Sequence, residues 1–498
     1  MSGTRMRISP NQTDLQQYVD GYNYVPISAR MLSDWITPIQ VLRILKEHYQ
    51  HCFLLESAEQ QQRYGRYSFI GYDPVLEISA RDGTVLINQV SAGGRTPVGL
   101  DDSKGLDETI SEIMERFRSP KIPGMPPFTG GLVGYFGYDY LKYREPSLKL
   151  KGSDDEQFND VDLMLFDRVI VFDNYRQQLS FIANVELADL DASYQTAREA
   201  IEQVALLLNS AVVQTDVEGQ ITSDFQMLFN EEEYREIVLR AKHYIHEGDI
   251  FQVVLSNRIS ADFTGSLLGA YRRLRSVNPS PYMFYFSSND MEVAGASPET
   301  LVKVTERTVR TFPLAGTRPR VSDETENARL ETELLGDDKE LAEHNMLVDL
   351  GRNDLGKICE FGSVQVENYL KLQRFSHVVH IGSEVSGQMR PDVTALDAIA
   401  AVLPAGTLSG APKLRAMEII DELEGNKRGI YGGAFGYLGF NSDMDTAIGI
   451  RLAYRRGGKV YVRSGAGIVL DSDPSKEYRE CVNKARAVIE AILTDQED

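Results

Sequence analysis

The chain has 498 residues, of which 42% are hydrophobic and 25% are charged, and its formal net charge is −21. A chain this acidic is disfavoured as a protein that binds nucleic acid or an anionic membrane surface. Its cysteines (Cys52, Cys359 and Cys481) share no close spacing, and we find neither an opening signal segment nor an apolar run near the roughly 18 residues of a membrane span, so we expect a reduced, cytoplasmic protein with no membrane partner.

The first half of the chain is predicted to be rich in strands. Residues 1–20 are polar and are expected to form a loosely held tail. Over residues 21–214, alternating segments such as Cys52–Glu56 are typical of half-buried strands. Residues 214–224, rich in Thr, Asp, Ser and Gly, are the predicted boundary with a second part, residues 225–498.

The second part mixes helices and strands. Asn230 and Glu233 form a capping-box pattern that predicts a helix running to about Glu247. Strands and helices then alternate without a regular βα rhythm, and no Gly-rich phosphate loop stands in the required strand–helix setting. We therefore predict an α+β fold with mainly antiparallel sheets flanked by helices, and not a Rossmann unit. Segments 130–138 and 432–440 resemble each other, through a duplicated strand or by chance.

Two pairs of glutamates are the most informative local pattern. Glu340 and Glu343 are three residues apart on a helix-like segment, and so are Glu477 and Glu480. This spacing places both carboxylates of a pair on one helix face. Two such faces could hold a hard divalent cation and leave room for an anionic substrate, although a solvated helix face is the simpler interpretation of either pair. Lys484, one turn further, would suit a bound carboxylate or would pair with Glu480.

Glu299 follows Ser297 and Pro298 at the end of a strand-like run. Serine at the N-cap, proline at the first helical position and glutamate in the first turn predict a well-capped helix. The alternative interpretation is a general acid at the mouth of a cleft.

Small residues form three further segments that could approach an anion. Segments 313–318 and 404–413 share an Ala-Gly-Thr core, whose backbone N–H groups and threonine hydroxyls can donate hydrogen bonds. The second segment leads into a helix start at Pro412. The third segment, 465–467, places glycines inside a strand pattern, which indicates a bulge or the close approach of another group. Ordinary turns and caps remain the alternative.

In this order, these segments resemble those of anthranilate synthase component I, a family of chorismate-utilising enzymes. The resemblance is specific over residues 230–490 and thinner before them. It implies two large, mainly antiparallel β-sheets packed as a sandwich, with helices outside and the active site in the cleft. The matching stretches are 295–299, 313–318, 338–344, 347–355, 403–413 and 465–469.

The resemblance implies an enzyme that converts chorismate and ammonia to anthranilate and pyruvate, the first step of tryptophan biosynthesis. Glu299 would protonate the departing C4 hydroxyl as ammonia adds at C2, with His380 and Thr407 as further catalytic residues. Mg²⁺ would be held around Glu343 and Glu480, with Glu340 and Glu477 in support. The implied substrate-binding residues are Gly316, Thr317, Tyr431, Arg451, Gly465, Ala466, Gly467 and Lys484.

Two positions separate the sister activities of the family. Gln252 occupies the strand position where water-adding members carry a lysine base, so hydration at C2 is disfavoured. Ala315 occupies the position where 4-amino-4-deoxychorismate synthases usually carry a nucleophilic lysine. Amination at C2 is therefore the expected reaction. 4-Amino-4-deoxychorismate synthase and a non-catalytic, tryptophan-sensing homologue remain the alternatives.

The resemblance also implies a partner and an inhibitor. We find no G-x-C-x-G nucleophile segment of a glutamine amidotransferase, so a separate glutaminase subunit should deliver ammonia, in a heterotetramer of two large and two small subunits. Tryptophan should inhibit the enzyme at a site between the two parts of the chain. The implied tryptophan-binding residues are Glu56, Ser57, Pro281, Tyr282 and Met283.

Overall fold

The computed structural model describes residues 6–57, 65–91, 94–99, 104–211, 218–288, 291–374 and 378–493. These residues form 26 strands and 11 α-helices, with short 3₁₀ segments at Gln16–Tyr18, Tyr138–Tyr143 and Gly406–Leu408. The helices are α1 (Gln12–Leu15), α2 (Pro38–His48), α3 (Leu106–Arg116), α4 (Leu190–Ser210), α5 (Glu231–His246), α6 (Leu268–Val277), α7 (Glu324–Leu335), α8 (Asp338–Gly356), α9 (Ala395–Val402), α10 (Lys413–Glu424) and α11 (Pro474–Leu493). The strands are β1 (Ile8–Ser9), β2 (Tyr24–Leu32), β3 (Cys52–Glu56), β4 (Tyr67–Tyr72), β5 (Leu76–Arg81), β6 (Thr84–Ser91), β7 (Gly94–Pro97), β8 (Gly131–Phe136), β9 (Val161–Phe166), β10 (Arg168–Asp173), β11 (Gln178–Glu186), β12 (Gln220–Ile221), β13 (Gln226–Met227), β14 (Gln252–Thr264), β15 (Tyr282–Ser287), β16 (Met291–Ser297), β17 (Thr300–Thr305), β18 (Thr308–Thr311), β19 (Leu314–Pro319), β20 (Gln365–Arg374), β21 (Val378–Gln388), β22 (Gly410–Ala411), β23 (Ala434–Gly439), β24 (Met444–Ile448), β25 (Leu452–Arg456) and β26 (Lys459–Ile468).

The strands form two large antiparallel sheets. Sheet 1 has 14 strands in the order β1-β2-β11-β10-β4-β3-β15-β16-β25-β26-β14-β12, with β13 and β22 also paired to β14. Sheet 2 has 12 strands in the order β19-β21-β18-β17-β24-β23-β8-β9-β5-β6-β7, with β20 paired to β21. The α+β fold with two packed sheets is thereby confirmed.

Both predicted parts of the chain contribute strands to both sheets. In sheet 1 the early strand β3 pairs with β15, and in sheet 2 the early strand β8 pairs with β23. The boundary predicted at 214–224 lies partly outside the described residues, and the two parts are joined through continuous backbone hydrogen bonding. Residues 1–5 of the predicted N-terminal tail lie outside the described residues; within the described part, Ile8–Ser9 pairs with β2 and Leu15 is fully buried.

Alternation along the strands builds the layers. In β15, Phe284 and Phe286 face a core between the sheets, whereas Met283 and Tyr285 pack towards helices on the outer face of sheet 1. Phe284 stacks on Phe435 of sheet 2 with 4.2 Å between ring centroids. Helices α2, α4, α6 and α11 cover sheet 1, and α3, α8 and α9 cover sheet 2. The helices therefore lie outside the sandwich, as the family resemblance implied.

The two similar glycine-aromatic segments are neighbours in sheet 2. Strands β8 and β23 pair antiparallel, with Gly134 opposite Gly436 and Tyr135 opposite Phe435. A Cβ at Gly134 would clash with the backbone of Asp162, so the close approach of three strands requires glycine there. The shared composition thus follows from packing, whether or not the segments share an origin.

The helices predicted at the Asn230 capping box and at the two glutamate pairs are present. Helix α5 begins with the Asn230 and Glu233 capping box, and both glutamate pairs lie on helices, Glu340 and Glu343 on α8 and Glu477 and Glu480 on α11. In the described part of the chain, every helix is too short or too polar to cross a bilayer.

Candidate functional site

Glu299 lies where the chain crosses from one sheet to the other. Strand β16 ends at Ser297 in sheet 1 and β17 begins at Thr300 in sheet 2, so only Pro298 and Glu299 connect them. The predicted helix start is therefore wrong. Ser297 Oγ does accept a hydrogen bond from the Glu299 N–H, at 3.4 Å, as a capping serine would. The β-branched, alternating sequence that follows forms a strand instead.

The surroundings of Glu299 keep its carboxyl group protonated. Thr407 Oγ1 lies 3.3 Å from Glu299 Oε1 and donates a hydrogen bond to it. Burial raises the pKa of Glu299 to about 8, and the opposing effects of Thr407 and the positive charge of Lys484 do not offset it. A carboxyl group that holds its proton at neutral pH is suited to act as a general acid.

His380 and Thr317 face each other across neighbouring strands. They are paired residues of β21 and β19, and Thr317 Oγ1 lies 3.0 Å from His380 Nδ1. The same nitrogen is 2.9 Å from the carbonyl oxygen of Gly316, which assigns its proton to Nδ1. Burial lowers the pKa of His380, the hydrogen bond to Gly316 opposes this, and nearby Arg451 adds to the lowering. His380 is therefore a neutral imidazole at neutral pH, with Nε2 as its basic nitrogen.

Gly316 brings helix α8 against strand β19. Its φ is +67°, a conformation that favours glycine. A Cβ at this position would lie 2.9 Å from Leu334 and 3.2 Å from Glu340 Oε2. The Ala-Gly-Thr segment thus positions one of the four glutamates next to a predicted substrate-binding residue.

Arg451 is a partly buried cation without a counter-ion among the described residues. Its backbone has φ +53°, and its carbonyl accepts a hydrogen bond from Ala296 N at 3.0 Å, close to the Glu299 crossover. Among the described residues, no carboxylate lies within ion-pair distance of its guanidinium group. Burial lowers the pKa of Arg451, against an opposing effect of Tyr431. An arginine held in this way is ready to bind a carboxylate from outside the protein.

Lys484 and the glycine segment of β26 lie beside this arginine. Lys484 Nζ donates to the carbonyl oxygen of Gly465 at 3.2 Å. A Cβ at Gly465 would lie 2.8 Å from Tyr431 Oη, whereas a Cβ at Gly467 would meet open space. Ala466 between them is fully buried. The predicted close approach is thus confirmed at Gly465, where the neighbours are the Leu255 carbonyl oxygen of β14, 2.6 Å from such a Cβ, and Tyr431, whereas Gly467 is exposed.

The structure adds three residues that the sequence patterns did not single out. Lys476, Arg479 and Asn483 line one open groove with Arg451, Lys484 and Glu480. The signal that could have identified them is helical periodicity, because positions 476, 479, 480, 483 and 484 share one face of α11. This face gives a strongly acidic protein a local concentration of positive charge.

The two glutamate pairs come near each other without forming a metal cluster. Burial and the neighbouring charges of Glu340 and Glu480 raise the pKa of Glu343, while Lys339 and Lys484 oppose them. Glu480 accepts from Lys484 Nζ at 2.7 Å. In the described ranges no three His, Cys, Asp or Glu side chains are placed to hold a metal ion. Magnesium binding by these residues therefore stays a prediction.

The residues of the expected inhibitor site lie together on neighbouring strands. Glu56 of β3 is paired with Met283 of β15, and Ser57 and Pro281 flank the same strand ends. Burial raises the pKa of Glu56, and Arg275 and Tyr271 oppose this through hydrogen bonds and charge.

Tyr282 extends from this group of residues towards the crossover. Its hydroxyl lies 2.9 Å from Thr300 Oγ1, and it donates to Asp445 Oδ1 at 2.7 Å. Thr300 is the residue after Glu299. The expected inhibitor site is therefore connected to the candidate acid through one hydrogen bond, from Tyr282 to Thr300, and one peptide bond.

Comparison with known proteins agrees with this arrangement. The sequence profile of the family described as chorismate binding enzyme matches residues 50–490. Anthranilate synthase component 1 of Acetivibrio thermocellus is 41% identical over 493 residues, 97% of this chain and 98% of the relative. The Pseudomonas aeruginosa protein of the same name is 42% identical over 484 residues, 96% of this chain and 97% of the relative.

A solved structure shows the same architecture. Anthranilate synthase component I from Streptococcus pneumoniae superposes with a TM-score of 0.75 at 36% sequence identity, covering 92% of this chain and 98% of the other. The agreement in sequence extends along nearly the whole chain, and the fold follows it. The chain therefore belongs to the chorismate binding enzyme family.

Proposed function

We propose that the chain is the chorismate-using component of an anthranilate synthase. It converts chorismate and ammonia to anthranilate, pyruvate and water, the first step of tryptophan biosynthesis. The observation that carries this proposal is the pairing of a protonated acid, Glu299, with an arginine, Arg451, whose carbonyl bonds to the strand end leading to Glu299 and whose guanidinium has no carboxylate within ion-pair distance among the described residues. Chorismate offers the matching groups, two carboxylates and a C4 hydroxyl that must leave. Relatives named anthranilate synthase component 1, 41–42% identical to this chain, support the assignment.

Glu299 supplies the proton that the leaving hydroxyl needs. Hydroxide is a poor leaving group, so a positioned acid accelerates its departure by roughly 10²–10⁴-fold. Ammonia adds at C2 while the C4–O bond breaks and the proton of Glu299 passes to the oxygen, which leaves as water. Loss of pyruvate from the amino intermediate, with loss of the C2 proton, then gives the aromatic amine. Thr407 orients the acid through its hydrogen bond.

Arg451, Lys484 and Tyr431 bind the carboxylates of the substrate. The cationic face of α11, with Lys476 and Arg479, attracts the dianion into the groove. Gly467 leaves open space beside the strand for the substrate, and Gly465 lets Tyr431 approach the strand closely.

The donor chemistry of the four glutamates suits Mg²⁺. They offer hard carboxylate oxygens. A bound cation would offset the negative charges of Glu340 and Glu480, which raise the pKa of Glu343. Glu343 and Glu480 would hold the metal with Glu340 and Glu477 in support, which requires Glu480 to exchange its bond with Lys484. When bound, Mg²⁺ offsets the negative charge of the substrate's ring carboxylate.

Two buried positions favour amination at C2 over the sister reactions. Gln252 begins β14 and is 8% exposed, and Ala315 of β19 is also 8% exposed. Glutamine cannot serve as the base that activates water, and alanine has no nucleophile to attack the ring.

A glutaminase subunit supplies the ammonia in this proposal, in an assembly of two large and two small subunits. The name "component 1" of the relatives is consistent with a second component. The three cysteines of this chain are buried, so none is placed as an amidotransferase nucleophile.

The activity is tested with the purified chain, chorismate, Mg²⁺ and ammonium at alkaline pH. We expect anthranilate, followed by its fluorescence and identified by chromatography. Product should disappear when a chelator removes the metal, and when glutamine replaces ammonium. Aminodeoxychorismate or isochorismate as the product would refute the interpretation of Ala315 or Gln252. Failure to form any product would favour the non-catalytic homologue.

Tryptophan inhibition is a second testable element of the proposed function. Tryptophan would bind at Glu56, Ser57, Pro281, Tyr282 and Met283, and the contact of Tyr282 with Thr300 offers a direct route to Glu299. A coupling free energy of about 1–3 kcal/mol between the two sites is typical. The side chain of phenylalanine at position 57 would occupy the space that the inhibitor needs.

We therefore expect Ser57→Phe to raise the tryptophan concentration for half-inhibition at least about tenfold, the equivalent of about 1.4 kcal/mol. The measurement is an inhibition curve normalised to the rate of each variant without tryptophan. Ser210→Phe, at the exposed end of α4, is the control and should leave the curve unchanged. An unchanged curve for Ser57→Phe would place the inhibitor site elsewhere.

A further inference from the structure

A buried ion pair lies directly beneath the candidate site and is not used by the proposed chemistry. Glu424 is the last residue of α10, and Arg428 follows it after the turn at Gly425, whose φ is +62°. Glu424 is 4% exposed and Arg428 is 2% exposed. Arg428 Nε donates to Glu424 Oε2 at 2.9 Å, and its Nη2 donates to Glu424 Oε1. Although burial opposes its charge, the contact with Glu424 raises the pKa of Arg428, so the guanidinium stays charged.

The remaining hydrogen bonds of Arg428 go to the backbone of two site segments. Nη1 donates to the carbonyl oxygen of Leu408 at 2.6 Å, and Nη2 donates to that of Val254 at 2.6 Å. Leu408 follows Thr407, the hydrogen-bond donor to Glu299. Val254 is the β14 residue paired with Gly467. One guanidinium group is therefore bonded both to the loop that carries Thr407 and to β14, the strand paired with the Gly465–Gly467 segment of β26.

Glu424 and two tyrosines complete this connection. Glu424 Oε1 accepts from Ser256 N at 2.7 Å and Oε2 accepts from Ser256 Oγ at 3.0 Å, and Ser256 is paired with Gly465. The Arg428 guanidinium lies 4.7 Å from the ring centroid of Tyr138 and 5.8 Å from that of Tyr431. Tyr431 N also donates to the Arg428 carbonyl at 3.2 Å.

We propose that Arg428 and Glu424 are positioning residues for the reaction. Together they fix the distance between Thr407, which orients the acid, and the Gly465–Gly467 segment, which faces the substrate. This inference rests on the proposed function and assigns these two residues a role in it. A buried ion pair is a poor way to gain stability, because desolvation costs about as much as the attraction returns. Its use here is geometric, since only a planar guanidinium can reach a carboxylate and two carbonyls from fixed directions.

Arg428→Lys tests the role because it keeps the charge but loses this geometry. We expect kcat/KM for chorismate to fall on the order of 10²-fold, the effect of a misplacement of about 1 Å. Both constants should change, KM through the glycine segment and kcat through Thr407. The pH at which activity is half lost should also rise, because the Thr407 hydrogen bond lowers the pKa of Glu299. A merely structural role would not change this midpoint.

Arg258→Lys is the matched control. Arg258 also belongs to a partly buried ion pair, but its Nη1 donates to Glu156 Oε1 at 2.6 Å and not to Glu424 or a site segment. We expect it to lower the melting temperature and leave KM and the pH midpoint within about twofold and about 0.3 units of wild type. Equal losses in both variants at equal melting temperatures would overturn the proposal.

Glu424→Gln decides the question if Arg428→Lys does not fold. Both carboxylate oxygens of Glu424 accept hydrogen bonds from Ser256 and Arg428, whereas a glutamine amide has one accepting oxygen and one donating NH₂ group. We therefore expect the same rise in KM and in the pH midpoint. Unchanged values in a folded Glu424→Gln variant would overturn the proposal. Binding of chorismate, measured by calorimetry for each variant against wild type, separates this result from the activity itself. A wild-type chain that binds chorismate without forming anthranilate would refute the proposed function and still report on the pair, whose variants should bind more weakly.

Discussion

Replacing Glu299 with glutamine is expected to reduce turnover roughly 10²–10⁴-fold while chorismate affinity changes by less than about threefold. Glutamine has the same shape and can keep the hydrogen bond from Thr407, but its amide cannot release a proton to the leaving hydroxyl. The measurement is kcat by anthranilate fluorescence together with calorimetric affinity. Glu232→Gln, an exposed first-turn residue of α5, is the control and should behave as wild type.

The same residue determines a pH dependence with a definite sign. Because burial raises the pKa of Glu299 from 4.5 to about 8, the protonated acid is present below that pH and is lost as pH rises through it. At a constant concentration of free ammonia, wild-type activity should therefore fall above about pH 8, whereas the residual activity of Glu299→Gln should not.

Folding stability should change with the same group. The folded state binds the proton of Glu299 more tightly than the unfolded state, so this stabilising contribution is complete below about pH 4.5 and is lost as pH rises to about 8. The shift in the pKa of Glu299 corresponds to at most roughly 4–5 kcal/mol in the free energy of unfolding. Glu299→Gln lacks the ionisable group. The difference in melting temperature, variant minus wild type, should therefore be larger at about pH 9.5 than at about pH 6.

The turnover measurement decides the catalytic role. Near-normal turnover in Glu299→Gln would remove Glu299 from the acid role.

Replacing Arg451 with methionine is expected to weaken chorismate binding roughly 10–100-fold, the value of a charge-assisted hydrogen bond of about 1.5–3 kcal/mol. The cause is the loss of a cation that has no counter-ion in the described protein. For the same reason the folded state should not lose stability, since methionine keeps much of the volume and removes an unpaired buried charge.

Arg455→Met is the matched control for this prediction. Arg455 lies on the adjoining strand β25, with Nε 3.4 Å from Glu292 Oε2 and Nη1 donating to Gly265 O at 2.7 Å. Its loss should lower the melting temperature and leave the KM for chorismate unchanged. If Arg451→Met instead destabilised the fold and bound chorismate normally, Arg451 would be a structural residue.

Local patterns determined the elements that depend on local chemistry. The spacing of Glu340 and Glu343, and of Glu477 and Glu480, places each pair on a helix, because helical periodicity is a property of neighbouring residues. The capping box at Asn230 is likewise complete within four residues. The order of the small-residue segments indicated the family, from which the two-sheet sandwich followed.

How these elements meet depends on contacts between distant parts of the chain. Ser297-Pro-Glu299 satisfies the rules for a helix start, yet the pairing of β17 with β24 makes it a crossover between the sheets. The burial of Glu299, the lack of a carboxylate partner for Arg451 among the described residues, and the bonds from Arg428 to Leu408 and Val254 all depend on residues far apart in sequence. A pKa set by desolvation, and a charge left without a partner, depend on what surrounds a side chain in space, which no pattern along the chain specifies.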